Sequence, residues 1–202
     1  AGVAGALRLP VDAEKTPTIT TPGAIPFIFF TDTHIEPELN GAEGTRQCFA
    51  QFSGIPADFA ICGGDLVYDA MGVPPMKAHQ LFDLFKDTAE LIQLPVHYTL
   101  GNHDLMGLLP RSGVSPTDPE YGKKAFEDRY GPTYYSFDHR GWHFVILNSI
   151  KPKPDGSWYT CELDEEQFAW LQQDLARTPG STPVIITSHA PIVSAATVVV
   201  DN

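Results

Sequence analysis

Four short apolar runs in this chain each end in a polar cluster able to bind a cation, and the clusters come in a fixed order. Phe27-Ile28-Phe29-Phe30 leads into Asp32-Thr33-His34, and Phe59-Ala60-Ile61-Cys62 leads into Gly64-Asp65. The run starting at Pro95 leads into Gly101-Asn102-His103-Asp104, and Pro183–Thr187 leads into Ser188-His189. Continuous apolar runs of this length have the pattern of strands covered on both faces. Clusters at the ends of such strands converge on one edge of a sheet. Two carboxylates, an amide oxygen and imidazoles gathered there suit two neighbouring divalent metals better than an organic cofactor.

The segments between these runs alternate in character. Cys48, Phe49 and Phe52 share helical spacing within 45–52, and Leu81, Phe82, Phe85, Ala89 and Ile92 do so within 77–92. Strands over 25–31, 58–62 and 95–100, separated by helices, predict parallel pairing. The pattern then changes. Runs at 133–137 and 142–148 flank Asp138-His139-Arg140-Gly141, a hairpin signal. Between Leu105 and Pro132 a long polar stretch with prolines and glycines has the character of a functional loop. Asp164-x-x-Gln167 predicts a capping box, with Phe168, Leu171 and Leu175 on the buried face of the helix it opens. The whole is α/β, one domain over 25–202 after an extended Pro-, Thr- and Gly-rich lead-in over 1–24.

Composition excludes several classes. With a net charge of -12 and only 13 Lys plus Arg, a basic groove for nucleic acid is not expected. No apolar stretch is long enough to cross a bilayer, so no membrane partner is expected. Cys48, Cys62 and Cys161 are odd in number and form no C-x-x-C pair, so the fold should not depend on disulfides. The small-residue start, Ala1-Gly2-Val3-Ala4-Gly5-Ala6, reads as the remnant of an export signal, which would place the protein in the periplasm or outside the cell, or else as a flexible arm of a cytoplasmic one.

Taken together, the motifs resemble the calcineurin-like metallophosphoesterase superfamily, whose pattern runs D-x-H, G-D, G-N-H-[DE], a lone His and then G-H-x-H. The resemblance covers nearly all of 25–193 and supplies the first four motifs in order. It implies a four-layer α/β/β/α sandwich of two mixed sheets. It also implies two transition metals, of Mn, Fe, Zn or Co type, with Asp32 and His34 on the first, Asp65 bridging, and Asn102 with His189 on the second. A hydroxide held between them would attack phosphorus in line, hydrolysing a phosphomonoester or phosphodiester of a small phosphorylated substrate. His103 would stand beside the substrate as the main non-metal catalytic group, with Asp104 orienting its ring and keeping it protonated.

Two departures bear on this. Asp65-Leu66-Val67-Tyr68 matches the G-D-x-x-Y of purple acid phosphatases, whose tyrosine binds ferric iron. Those enzymes lack a first-motif histidine, whereas His34 is present here, so Tyr68 is either a metal ligand or a residue behind the ligands or beside the substrate. Nothing after His189 resembles G-H-x-H, so the chain reads as truncated or cleaved, with a C-terminal part of the fold missing. That loss motivates a rival reading, a non-catalytic binding or scaffold protein on the same fold. His97 is expected in the core, and His79, His139 and His143 at surface or packing positions.

Overall fold

A computed structural model of the protein describes residues 23–153, 155 and 157–192. Nearly all of the expected lead-in over 1–24, and the apolar run from 195 to 200, lie outside them.

Three strands, β1 (Phe27–Phe30), β2 (Phe59–Cys62) and β3 (Val96–Tyr98), form a parallel sheet in that order. The connections are α1 (Gly41–Phe52) and α2 (Pro75–Ala89), and Pro75 opens α2 where its missing N–H costs nothing. Ala60 and Cys62 on β2 pack with Phe49, Leu81, Phe82 and Phe85 from the helices. Phe59 and Ile61, pointing the other way, pack with Phe144 and Ile146. A strand buried on both faces has no reason to alternate, which is why these runs are continuously apolar.

The stretch after β3 holds a short helix, α3 (Lys124–Tyr130), that the sequence pattern did not mark. Its buried side is only Ala125 and Phe126, too few for a visible period. A hairpin follows as expected, β4 (Tyr135–His139) with β5 (Trp142–Leu147), then a ribbon of β6 (Ile150–Pro152) and β7 (Tyr159–Cys161). Helix α4 (Glu165–Arg177) leads into β8 (Val184–Ser188), which pairs parallel with β5. The second sheet, β4-β5-β8, is therefore mixed, while the first is purely parallel among the described residues.

The two sheets face each other through aromatic side chains. From the first sheet Phe59 meets Phe144 edge-on with ring centroids 5.2 Å apart and Phe137 at 5.5 Å. Burying rings of this size contributes about 1.5–3 kcal/mol each. His97 lies in this layer as expected, parallel to Phe137 at 3.6 Å, and burial holds its pKa below the ordinary value.

α4 is rotated from the expected face. Its buried residues are Gln167, Leu171 and Asp174, whereas Phe168 is 50% and Leu175 37% exposed. Polar pairing sets the rotation. Gln167 Oε1 accepts from Asn148 N at 2.8 Å and its Nε2 donates to Asn148 O at 2.8 Å, closing the end of β5. Asp174 accepts from Ser136 Oγ at 2.9 Å and pairs with His143 Nε2 at 2.7 Å, while Asp138 takes His143 Nδ1 at 2.7 Å. His143 is thus not a surface group but a buried imidazole between two carboxylates. Asp164 caps α4 by accepting from Gln167 N at 2.8 Å, but the Gln167 side chain is spent on Asn148, so only half of the capping box forms. Among the described residues no helix is long and apolar enough to cross a membrane.

Candidate metal centre

The loops leaving β1 and β2 run side by side beyond the strands. Asp32 N donates to Gly64 O, His34 N to Asp65 O and Ile35 N to Leu66 O, each at 3.0 Å. Thr33 Oγ1 adds a bond to Leu66 O at 2.8 Å. Three non-glycine residues here, Asp32, His34 and Asp65, have φ of 55°, 41° and 52°, in the left-handed region. That costs free energy which nothing in local folding requires, and such residues gather where side chains must be aimed. The third loop approaches so closely that a Cβ on Gly101 would lie 2.1 Å from Asp65 Oδ1, and one on Gly64 would lie 2.8 Å from His189 Nδ1. Glycine at both positions lets the ligand-bearing loops touch.

Asp65 stands at the centre, with 4% of its surface exposed. The His103 backbone N–H donates to its Oδ1 at 2.8 Å, which leaves Oδ2 free. That oxygen lies 3.4 Å from His34 Nε2 and 3.4 Å from His189 Nε2. One carboxylate oxygen equidistant from two imidazoles is the arrangement of a bridging ligand. Donor atoms of His34, Asp65 and His103 lie within 4.8 Å of one another, as do those of Asp32, Asp65 and His189. Asn102 Oδ1 lies 3.2 Å from His189 Nε2, joining the second group, and Asp32 Oδ1 lies 3.7 Å from His34 Nε2, joining the first.

Two of these side chains are held from behind. His189 Nδ1 meets Gly63 O at 2.9 Å, which turns its Nε2 toward Asp65. Thr31 Oγ1 donates to Asp32 Oδ2 at 2.6 Å. Burial would raise the pKa of Asp65 and lower that of His189, but their mutual pairing reverses both. Asp65 is lowered, and His189 is raised to about 9. A cation would take the place of the proton on His189. The oxygen, amide and imidazole donors, hard and borderline, fit two divalent metals.

The structure brings together all five residues expected as ligands, and His103 beside them. The His103 ring meets His34 edge-on with centroids 4.5 Å apart, and its Nδ1 is held by the backbone carbonyl of Tyr68. Nε2 is thereby the atom left to act. Asp104 does not orient that ring, which corrects the expectation. Wholly buried, its Oδ1 accepts from Leu66 N at 2.9 Å and Val67 N at 3.3 Å, and its Oδ2 from Gly101 N at 2.9 Å. It ties the second loop to the third. Burial and the neighbouring Asp65 push its pKa up to about 7 against those three N–H donors. Tyr68 contributes its carbonyl; its ring is 51% exposed, and its hydroxyl makes no hydrogen bond among the described residues. Thr31, Thr33 and the Gly63 carbonyl are supports that the motifs did not mark, though a hydroxyl residue flanking a ligand is a readable hint.

A family model for calcineurin-like phosphoesterases matches residues 25–200. The chain belongs to that family. Purple acid phosphatase 22 of Arabidopsis thaliana is 25% identical over 180 residues, covering 82% of this chain and 37% of that protein. The chain therefore spans little more than a third of that relative's length. A crystallised dimetal phosphatase from Danio rerio superposes with a TM-score of 0.59 at 16% identity, covering 84% of this chain and 70% of its own. A purple acid phosphatase from yellow lupin (Lupinus luteus) seeds does so with a TM-score of 0.53 at 19% identity, covering 82% and 31%. At such identities the superpositions establish the fold, a phosphoesterase sandwich with the motif loops on one edge.

Proposed function

We propose that this calcineurin-like phosphoesterase hydrolyses a phosphomonoester or phosphodiester of a small phosphorylated substrate with two bound transition metals. The observation that carries the reading is the single free oxygen of Asp65, set midway between His34 and His189. Asp32, His34 and Asp65 would hold one metal, and Asp65, Asn102 and His189 the other. Bound metals supply Lewis acidity toward phosphoryl oxygens and lower the pKa of water. The residues of this chain do the rest. Asp65 fixes the spacing, Thr31 and the Gly63 carbonyl aim Asp32 and His189, and Asp104 locks the loops that carry Asp65 and Asn102. His103, with Nδ1 anchored on Tyr68, presents Nε2 for proton transfer to the leaving oxygen or for contact with the phosphoryl group.

Turnover of 4-nitrophenyl phosphate and bis(4-nitrophenyl) phosphate, with Mn²⁺, Fe²⁺, Zn²⁺ or Co²⁺ supplied in turn, tests the proposal. Metal-dependent release of nitrophenolate from at least one ester is expected. Protein that binds two equivalents of metal yet turns over neither ester would instead support the binding or scaffold reading.

A further inference from the structure

We propose that Arg111 receives a second phosphoryl group of the substrate, so that the preferred substrate is a phosphoester carrying another phosphate beyond the scissile one, as a nucleoside diphosphate does. This rests on the hydrolytic reading of the same site. The link runs through the segment after the second motif. Tyr68 O meets His103 Nδ1, and Ala70 N donates to His103 O at 2.8 Å, so residues 68–70 lie along the catalytic histidine. Asp69, between them, accepts from Gly72 N at 2.8 Å and from Arg111 Nη2 at 3.0 Å. One residue, Asp69, therefore separates the carbonyl that holds His103 Nδ1 from the carboxylate that holds the guanidinium.

The guanidinium lies directly against the Gly72 backbone, where a Cβ on residue 72 would lie 2.3 Å from its Nε and Nη2 and 2.4 Å from its Cζ. The loop that carries it is fastened to the same segment, with Gly107 N donating to Ala70 O at 3.0 Å and Leu109 N to Met71 O at 2.8 Å. Asp69 is nearly buried, with 13% of its side chain exposed, yet the Arg111 side chain is 65% exposed. Its Nε and Nη1 have no hydrogen-bond partner among the described residues. An ion pair this exposed contributes little stability. A guanidinium already fixed, with one edge of its fork open, is instead suited to a phosphate, because the ordering cost is met before the ligand arrives. In a chain of net charge -12, a cation fixed beside an anion-processing site is a selective feature.

The experiment compares wild type, Arg111→Ala and Arg111→Lys in the full Mn²⁺-loaded chain, with 4-nitrophenyl phosphate and ADP as substrates. For Arg111→Ala, KM for ADP should rise roughly tenfold to a hundredfold, at least about ten times more than for the nitrophenyl ester, with kcat little changed. Arg111→Lys should recover part of the loss, since charge returns without the fork. Equal shifts for both substrates, or no shift for either, would overturn the proposal. Calorimetric titration with methylene diphosphonate, which is not hydrolysed, separates the two layers of argument. Binding that weakens in Arg111→Ala supports the site even if wild type hydrolyses nothing, in which case the hydrolytic reading alone fails. Hydrolysis together with diphosphonate binding indifferent to residue 111 overturns the site and leaves the hydrolytic reading standing.

Discussion

Asp65 divides its two oxygens between structure and chemistry, one holding the His103 N–H and the other facing two imidazoles. In Asp65→Asn the amide oxygen can still accept the N–H, but the charge that two cations would share is gone. Metal content measured by plasma emission and turnover should therefore fall together. His103→Ala removes the group proposed to act beside the substrate while leaving Asp32, Asp65, Asn102 and His189 in place. Its kcat should drop about 10²–10⁴-fold with metal content retained. Asp104→Asn exchanges the acceptor Oδ2 for an amide NH2 facing the Gly101 N–H. Urea denaturation should show a loss of about 1–3 kcal/mol, since a buried donor is left unpaired. The candidate ligands were legible in the sequence because metals demand particular side chains at strand ends. The carbonyls of Gly63 and Tyr68 and the amides that hold Asp104 were not, because every residue type offers those atoms.

Helix α4 shows how an amphipathic pattern can mislead by one position. The sequence pointed to Phe168, Leu171 and Leu175, yet 167, 171 and 174 are buried, because Asp174 finds partners on β4 and β5 and Gln167 finds one in Asn148 just after β5, which outweigh the exposure of two apolar side chains. Gln167→Ala should cost about 1–3 kcal/mol by stranding both backbone groups of Asn148, more than Phe168→Ala costs, as chemical denaturation of the two variants would show. The strands of the first sheet were easier to read than this helix, since burial on both faces leaves only apolar residues. His143, from β5, carries a pH signature. Burial would lower its pKa, but Asp138 and Asp174, the charged groups facing it from β4 and α4, outweigh burial and raise it from 6.5. The stability it supplies is fully present below 6.5 and is lost as pH rises through the elevated folded value. The stability gap between wild type and His143→Asn should therefore narrow as pH rises above 6.5.

Over the entire molecule, the net charge of -12 and the carboxylates gathered at one sheet edge favour the binding of cations there. Binding of cations to the folded chain alone should stabilise it by about 2.7 kcal/mol at a hundredfold excess over Kd, visible as a rise in Tm that EDTA reverses. The parallel α/β portion and the later hairpin were legible from the order of the runs, and the four motifs in sequence carried the family resemblance that implied the sandwich. The long loop was not, because what holds it are contacts such as Asp69 with Arg111 that join residues 42 apart and leave no local pattern. Anomalous scattering from crystals soaked in Mn²⁺ would examine the bridging arrangement directly. Two peaks about 3.5–4 Å apart on either side of Asp65 Oδ2, one near His34 and one near His189, are expected. A single peak, or two that do not share Asp65, would contradict it.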